Sequence, residues 1–244
     1  MQNLQTGAFM QDIYKESATQ LHELDLVRIL KDGRTFAYAQ AGTTALDVSK
    51  VNQASAPVST ANNEALPATG SAAIGATEVI VTFGAAVVAD QYKDGWLWAN
   101  DATGEGHLYQ VKSHAAGTAT VTVYLKDSIR TTALVGSTTE VTLIANRQYG
   151  LIVCPTTLTG LVTGVNPIPV TASYYFWNQV KGPVTVLVDT GATIVIGNHV
   201  TRGGTAAGSV GPLATDSILP VLGTVMSVNA ATEYALINLD IPGY

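Results

Sequence analysis

The run Ser173-Tyr174-Tyr175-Phe176-Trp177-Asn178-Gln179-Val180, then Lys181-Gly182-Pro183 and Val184-Thr185-Val186-Leu187-Val188, decides the fold class. Four consecutive aromatic residues cannot share one face of a strand, because strand side chains alternate with a period of two. Both faces must therefore be covered, by a core on one side and by another sheet, an arm or a subunit on the other. Gly182-Pro183 reads as a turn into a second strand at 184–188, and Asp189-Thr190-Gly191 reads as the next turn. Thr193-Ile194-Val195-Ile196, 221–225 and 233–239 continue the strands, and 151–154 and 160–165 precede them. No 3.6-residue periodicity runs through this half.

The same pattern holds toward the N-terminus. Between 77 and 144, strands are expected at 78–83, 96–99, 107–112, 118–125 and 140–144, with Gly, Asn and Asp between them. Trp96 and Trp98 share one face of their strand. Leu26-Val27-Arg28-Ile29-Leu30, Lys31-Asp32-Gly33-Arg34 and Thr35-Phe36-Ala37-Tyr38-Ala39 form a hairpin, since Asp-Gly between β-prone runs is a strong turn signal. Residues 40–77 are poor in large apolar side chains. There, 45–53 reads as a helical turn or a strand, and 54–73 as a long surface connection. The first 24 residues show no sustained apolar stripe and read as an extended arm, with a short helix possible at 14–21. The fold class is all-β: antiparallel sandwich or partly closed barrel subdomains with an N-terminal arm. The expected division is 1–24 (arm), 25–149 and 150–244 (two β-rich domains).

The composition excludes several classes. Of 244 residues, 12% are charged, and 12 Lys and Arg against 18 Asp and Glu give a net charge of −6. Soluble domains usually carry about 25% charged residues, so this surface is neutral, rich in Thr, Ser, Asn and Gln, and suited to burial against a partner. No basic cluster supplies the electrostatic drive for nucleic-acid binding. No stretch approaches the ~20 apolar residues of a membrane-spanning helix. No cationic and apolar leader opens the chain, so no secretory signal is expected. The single cysteine, Cys154, lies in an apolar run and reads as a buried, inert thiol.

The motifs that could carry chemistry do not assemble. His22, His107, His114 and His199 lack metal-ligand spacing. Asn100-Asp101-Ala102-Thr103-Gly104-Glu105-Gly106 is oxygen-rich but lacks the spaced carboxylates of a calcium loop. Asp189-Thr190-Gly191 spells an acid-protease triplet, yet that chemistry needs two such carboxylates sharing a proton and no second triplet occurs. The glycines of 201–208 lack the Lys-Ser/Thr of a phosphate loop. Glycoside hydrolysis would need a carboxylate pair across a cleft. Asp90, Asp94, Asp101 and Glu105 read instead as solvated capping groups. The expectation is no catalytic residue, no cofactor and no metal: not an enzyme.

Two stretches carry a resemblance. One runs from Tyr14-Lys15-Glu16-Ser17 through His22 to Asp32-Gly33-Arg34-Thr35-Phe36-Ala37-Tyr38-Ala39-Gln40-Ala41-Gly42. The other runs from Tyr149-Gly150 through Tyr175-Phe176-Trp177-Asn178-Gln179-Val180-Lys181-Gly182-Pro183-Val184 to Gly197-Asn198-His199-Val200, Gly208-Ser209-Val210 and Val221-Leu222-Gly223. With the Trp96 to Tyr109 hairpin, they resemble the head decoration, or cement, proteins of tailed bacteriophages. The resemblance implies a bacteriophage virion protein on the capsid outer surface, assembled in the host cytoplasm, that bridges major capsid protein subunits. It further implies a self-associating trimer, with no direct nucleic-acid binding and no membrane. Tyr14, Leu21, Tyr174, Tyr175, Phe176 and Trp177 are the expected intersubunit contacts, and removing the arm is expected to spare folding while weakening capsid binding. The rivals are another virion subunit (major capsid or tail tube) and a carbohydrate-binding β domain built on Trp96 and Trp98.

Overall fold

The computed structural model describes residues 10–56, 64–214 and 218–244. Their strands pair antiparallel, as one half-barrel and one nearly closed barrel, with isolated parallel bridges at Ala41–Leu151 and Val188–Val210. The chain divides into two compact units, residues 1–55 with 150–244 and residues 56–149. One border between the units falls at Gly150. Residues 25–55, expected to belong with 56–149, instead join the C-terminal half, because their strands pair with strands of that half.

In the first unit the Asp-Gly hairpin forms as read. β1 (Val27–Ile29) pairs with β2 (Thr35–Gln40), with Arg28 opposite Phe36. Gly33 takes a φ of 88° at the turn, a conformation that costs a β-carbon-bearing residue more. β2 then pairs with the long strand that opens the sequence argument, Trp177 opposite Tyr38. β3 (Val51–Gln53) replaces the ambiguous 45–53 stretch and is wholly buried.

The second unit, reached after β3, contains β4 (Leu66–Pro67), β5 (Glu78–Thr82), β6 (Trp96–Asp101), β7 (Leu108–His114), β8 (Thr120–Leu125) and β9 (Glu140–Ile144). Their order is β4-β9-β6-β7-β8-β5, and a bridge between Ala68 and Val81 draws the two edges together. The stretch expected as a surface connection thus carries a barrel strand. Leu66, Ala68 and Ala72 are buried with Val81, Leu97, Tyr109 and Leu143. Small apolar residues suffice where a barrel closes, so the composition of 54–73 concealed a strand; residues 57–63 of it lie outside the described residues.

The chain re-enters the first unit through β10 (Ile152–Val153), which pairs with β3, and continues through β11 (Val162–Val165) and β12 (Tyr175–Leu187). β13 (His199–Arg202), β14 (Val210–Pro212), β15 (Gly223–Ser227) and β16 (Tyr234–Asp240) complete a 10-stranded sheet. β12 runs for 13 residues without the expected turn. Its first half pairs with β2 and its second with β16, and the register shifts between Gln179 and Lys181. Gly182-Pro183 lies just past this shift, in regular register opposite Leu239 and Asn238 of β16. The Gln179 side-chain amide donates to the carbonyls of Lys181, Gly182 and Pro183 at 3.1, 3.3 and 2.9 Å, satisfying groups that the kink frees. Thr193–Ile196 forms no strand, and Val195 and Ile196 stand exposed.

Candidate functional site

The aromatic run of β12 meets the arm of its own chain. Phe176 and Trp177 are fully buried, Tyr174, Tyr175 and Leu21 are half-buried, and Tyr14 is 53% exposed. Of the six expected contacts, Tyr14 alone turns most of its ring to solvent, and its hydroxyl accepts from Arg34 Nη1 at 2.9 Å. Phe176 and Trp177 belong to the core: a ring with no exposed surface has none to offer another subunit.

What covers Trp177 is the arm. Residues 10–24 contain no helix and lie along the sheet. The Trp177 indole N–H donates to the Gln11 carbonyl at 3.2 Å, and Arg28 Nη1 donates to the same oxygen at 3.0 Å. Tyr38 donates its hydroxyl proton to Gln11 Oε1 at 2.9 Å, and its oxygen accepts from the Leu21 N–H at 3.1 Å. Ser17 and Tyr175 exchange backbone hydrogen bonds at 2.9 and 2.8 Å. Glu16 accepts from the Thr171 N–H and hydroxyl at 2.6 and 2.8 Å. The His22 ring lies 5.1 Å from Tyr38 and 5.4 Å from Trp177. Burial, with the nearby Arg28 charge, lowers the His22 pKa, and burial raises that of Tyr38. The arm is an extended strap, anchored in its own chain by polar groups that the aromatic residues need satisfied.

Asp189 has a structural task. Its carboxylate is buried and accepts from the N–H groups of Thr190, Gly204, Thr205 and Ala206 and from the Ser209 hydroxyl at 3.1 Å. Burial pushes its pKa up, but bonds from Ala206, Gly204, Ser209 and Thr205 outweigh this and leave it below the usual carboxylate value. The Asp-Thr-Gly triplet and the glycine-rich 203–208 loop, unconnected in the sequence reading, thus form one carboxylate-centred turn. Gly203 is required within it, since a Cβ there would overlap Ser209 Oγ and crowd Asp189.

The histidines stay apart, and no group of three or more His, Cys, Asp or Glu side chains converges among the described residues. His114 is buried; Nε2 accepts from the Tyr92 N–H at 3.1 Å, so Nδ1 donates to the Ala115 carbonyl at 2.9 Å. Burial raises the Cys154 thiol to about 11, against the smaller opposing effect of Arg202, as suits an inert core thiol.

Among the exposed apolar side chains of the described residues, two groups bear on a partner, one in each unit. In the first unit the 195–198 turn is tied to β15: the Gly197 N–H donates to the Val225 carbonyl at 2.9 Å, and the Val225 N–H donates to the Asn198 carbonyl at 3.0 Å. This places exposed Val195 and Ile196 beside exposed Met226. In the second unit Trp96 stands outward on β6. Reading 193–196 as a strand hides the first surface; the unbroken apolar Ile194-Val195-Ile196 beside Gly197 is its one signal in the sequence. Comparisons of the chain with protein-family models, curated proteins and solved structures find no match.

Proposed function

We propose that this chain is a non-enzymatic structural protein of a bacteriophage virion. It decorates the outer surface of the capsid, bridges major capsid protein subunits, and gathers there as trimers. It is assembled in the host cytoplasm and engages neither nucleic acid nor membrane. The observation that carries the reading is the exposure of Val195, Ile196 and Met226, on segments that backbone hydrogen bonds hold side by side. They lie on a sheet whose own core is complete, in a chain with few charged residues to keep such groups apart. Lattice symmetry repeats each contact, so small ledges suffice for stable decoration. The similarity of the 14–42 and 149–223 stretches to capsid cement proteins supports the same reading.

The test is cryo-electron microscopy of purified particles, with occupancy compared for the parent and an Ile196→Lys, Met226→Lys variant. The reading expects ordered density between capsomers and loss of that density in a variant that still folds. Absence of the parent chain from particles would overturn it.

A further inference from the structure

The outer face of the second unit carries a surface that the proposed function leaves unassigned. β6 lies between β9 and β7, and the registers set two rows across these strands, Ile144–Trp96–Gln110 and Thr142–Trp98–Leu108. Leu97 and Ala99 enter the barrel core, so both indoles face outward. Trp96, Leu108 and Ile144 are 41%, 46% and 41% exposed, and Trp98 is half-buried. One pleat repeat, about 7 Å, separates the indoles along the strand.

The polar groups of these two rows are neutral and held in place, with Lys112 and Glu140 on the outward parity of the neighbouring strands. Thr142 donates its hydroxyl proton to Asn100 Oδ1 at 2.9 Å, which turns the Asn100 Nδ2 protons away from that contact. Gln110 stands directly across from Trp96; its Nε2 lies 3.5 Å from the Asp94 carbonyl, leaving Oε1 as an acceptor. Neither row carries a charge. Nearby Lys126 pairs with Asp94 at 2.9 Å, and Arg130 donates to the Leu108 carbonyl at 3.0 Å while its guanidinium lies over Tyr109. Lys112, Asp101 and Glu140 stand at the rim.

This combination selects a class of ligand. An ionic ligand finds no counter-charge in the two rows. A dry apolar protein face would leave the Asn100 and Gln110 amides unsatisfied, at about 1–3 kcal/mol each. A pyranose ring offers electropositive C–H groups to the negative face of an indole and a rim of hydroxyls that both donate and accept. We infer that this face binds a neutral saccharide, with sugar rings stacked on Trp96 and Trp98 and hydroxyls bonded to Asn100 and Gln110. The inference does not depend on the capsid reading. A shallow face with two stacking rings gives a single-chain Kd in the ~mM range, strengthened where copies cluster.

The test uses the full chain in native gels containing hydroxyethyl cellulose, glycogen, mannan or dextran, with tryptophan fluorescence titrations against the same polymers. At least one polymer is expected to retard the protein and change its emission. Trp96→Ala and Trp98→Ala, both on the outward side of β6, are each expected to weaken this by about tenfold or more. Trp177→Phe, in the first unit, is expected to leave it unchanged. Absence of retardation with all four polymers, or retardation that survives both surface substitutions, overturns the inference. Unchanged gels together with lost particle occupancy for the two alanine variants would overturn it as well, by showing the face to be a protein contact.

Discussion

The substitution Asp189→Asn tests the carboxylate-centred turn. In the parent, Oδ1 accepts from Thr190, Thr205, Ala206 and Ser209, and Oδ2 accepts from Gly204 at 2.8 Å and Thr205 at 3.1 Å. An amide nitrogen in place of Oδ2 would face these last two N–H groups as a donor, leaving Gly204 without an acceptor and Thr205 with Oδ1 alone. Hydrogen bonds to a charged group contribute about 1.5–3 kcal/mol each and repacking recovers part of the loss, so the expected cost is about 2–4 kcal/mol. Urea unfolding followed by Trp177 emission, with Trp96 and Trp98 replaced by Phe, reports on the first unit alone. The pH dependence supplies a second reading. The folded pKa lies below the ordinary 3.8, so the stabilisation is complete well above that value and is lost as pH falls through the lower folded pKa. The amide variant is expected to lose this part of the acid sensitivity. A cost below about 0.5 kcal/mol, or identical acid profiles, would refute the reasoning.

Four further outcomes follow from the structure. Gly203→Ala, whose Cβ would overlap Ser209 Oγ, is expected to cost about 1–3 kcal/mol in urea melts. Gly204→Ala, which meets nothing within 4 Å, is expected to stay within about 0.5 kcal/mol. Deleting residues 1–24 is expected to red-shift Trp177 emission and destabilise the first unit, since Ile13 and Leu24 are buried and Gln11 satisfies Trp177 and Tyr38; a blue, cooperative melt would refute this. Replacing 57–149 by a short Gly-Ser linker is expected to leave the first unit folded, because the two crossing points lie beside paired strands β3 and β10; an NMR spectrum without dispersion would refute it.

Much of the fold was legible because strands and turns are local. The hairpin at 27–40, the strand at 140–144 and the shared face of Trp96 and Trp98 follow from alternation and turn chemistry. What was illegible depends on partners distant in sequence. Nothing near Gly182-Pro183 reveals that the Gln179 amide will cap three carbonyls and let the strand continue. Likewise, the aromatic run demands cover on both faces but does not say that Gln11, more than 160 positions away, supplies it. The division at Gly150 was visible as a change of texture, whereas the return of residues 25–55 to the C-terminal half was not, since sheet pairing leaves no trace in composition. Of the candidate surfaces, the tryptophan pair was legible and its neighbours were not: Leu108, Ile144 and Gln110 join it through cross-strand register.

The insertion of the barrel between paired strands also bears on how the chain folds. As synthesis proceeds, β1 to β3 emerge first, yet β12, against which β2 packs, appears more than 130 residues after it. The barrel, whose strands are contiguous in sequence, is complete in the meantime. For a flexible loop of about 90 residues, closing the pairing of β3 with β10 would cost roughly 4 kcal/mol, so the larger sheet carries the slow, non-local step of folding. Vectorial synthesis thus completes the contiguous unit first and the discontinuous one only when its C-terminal strands emerge.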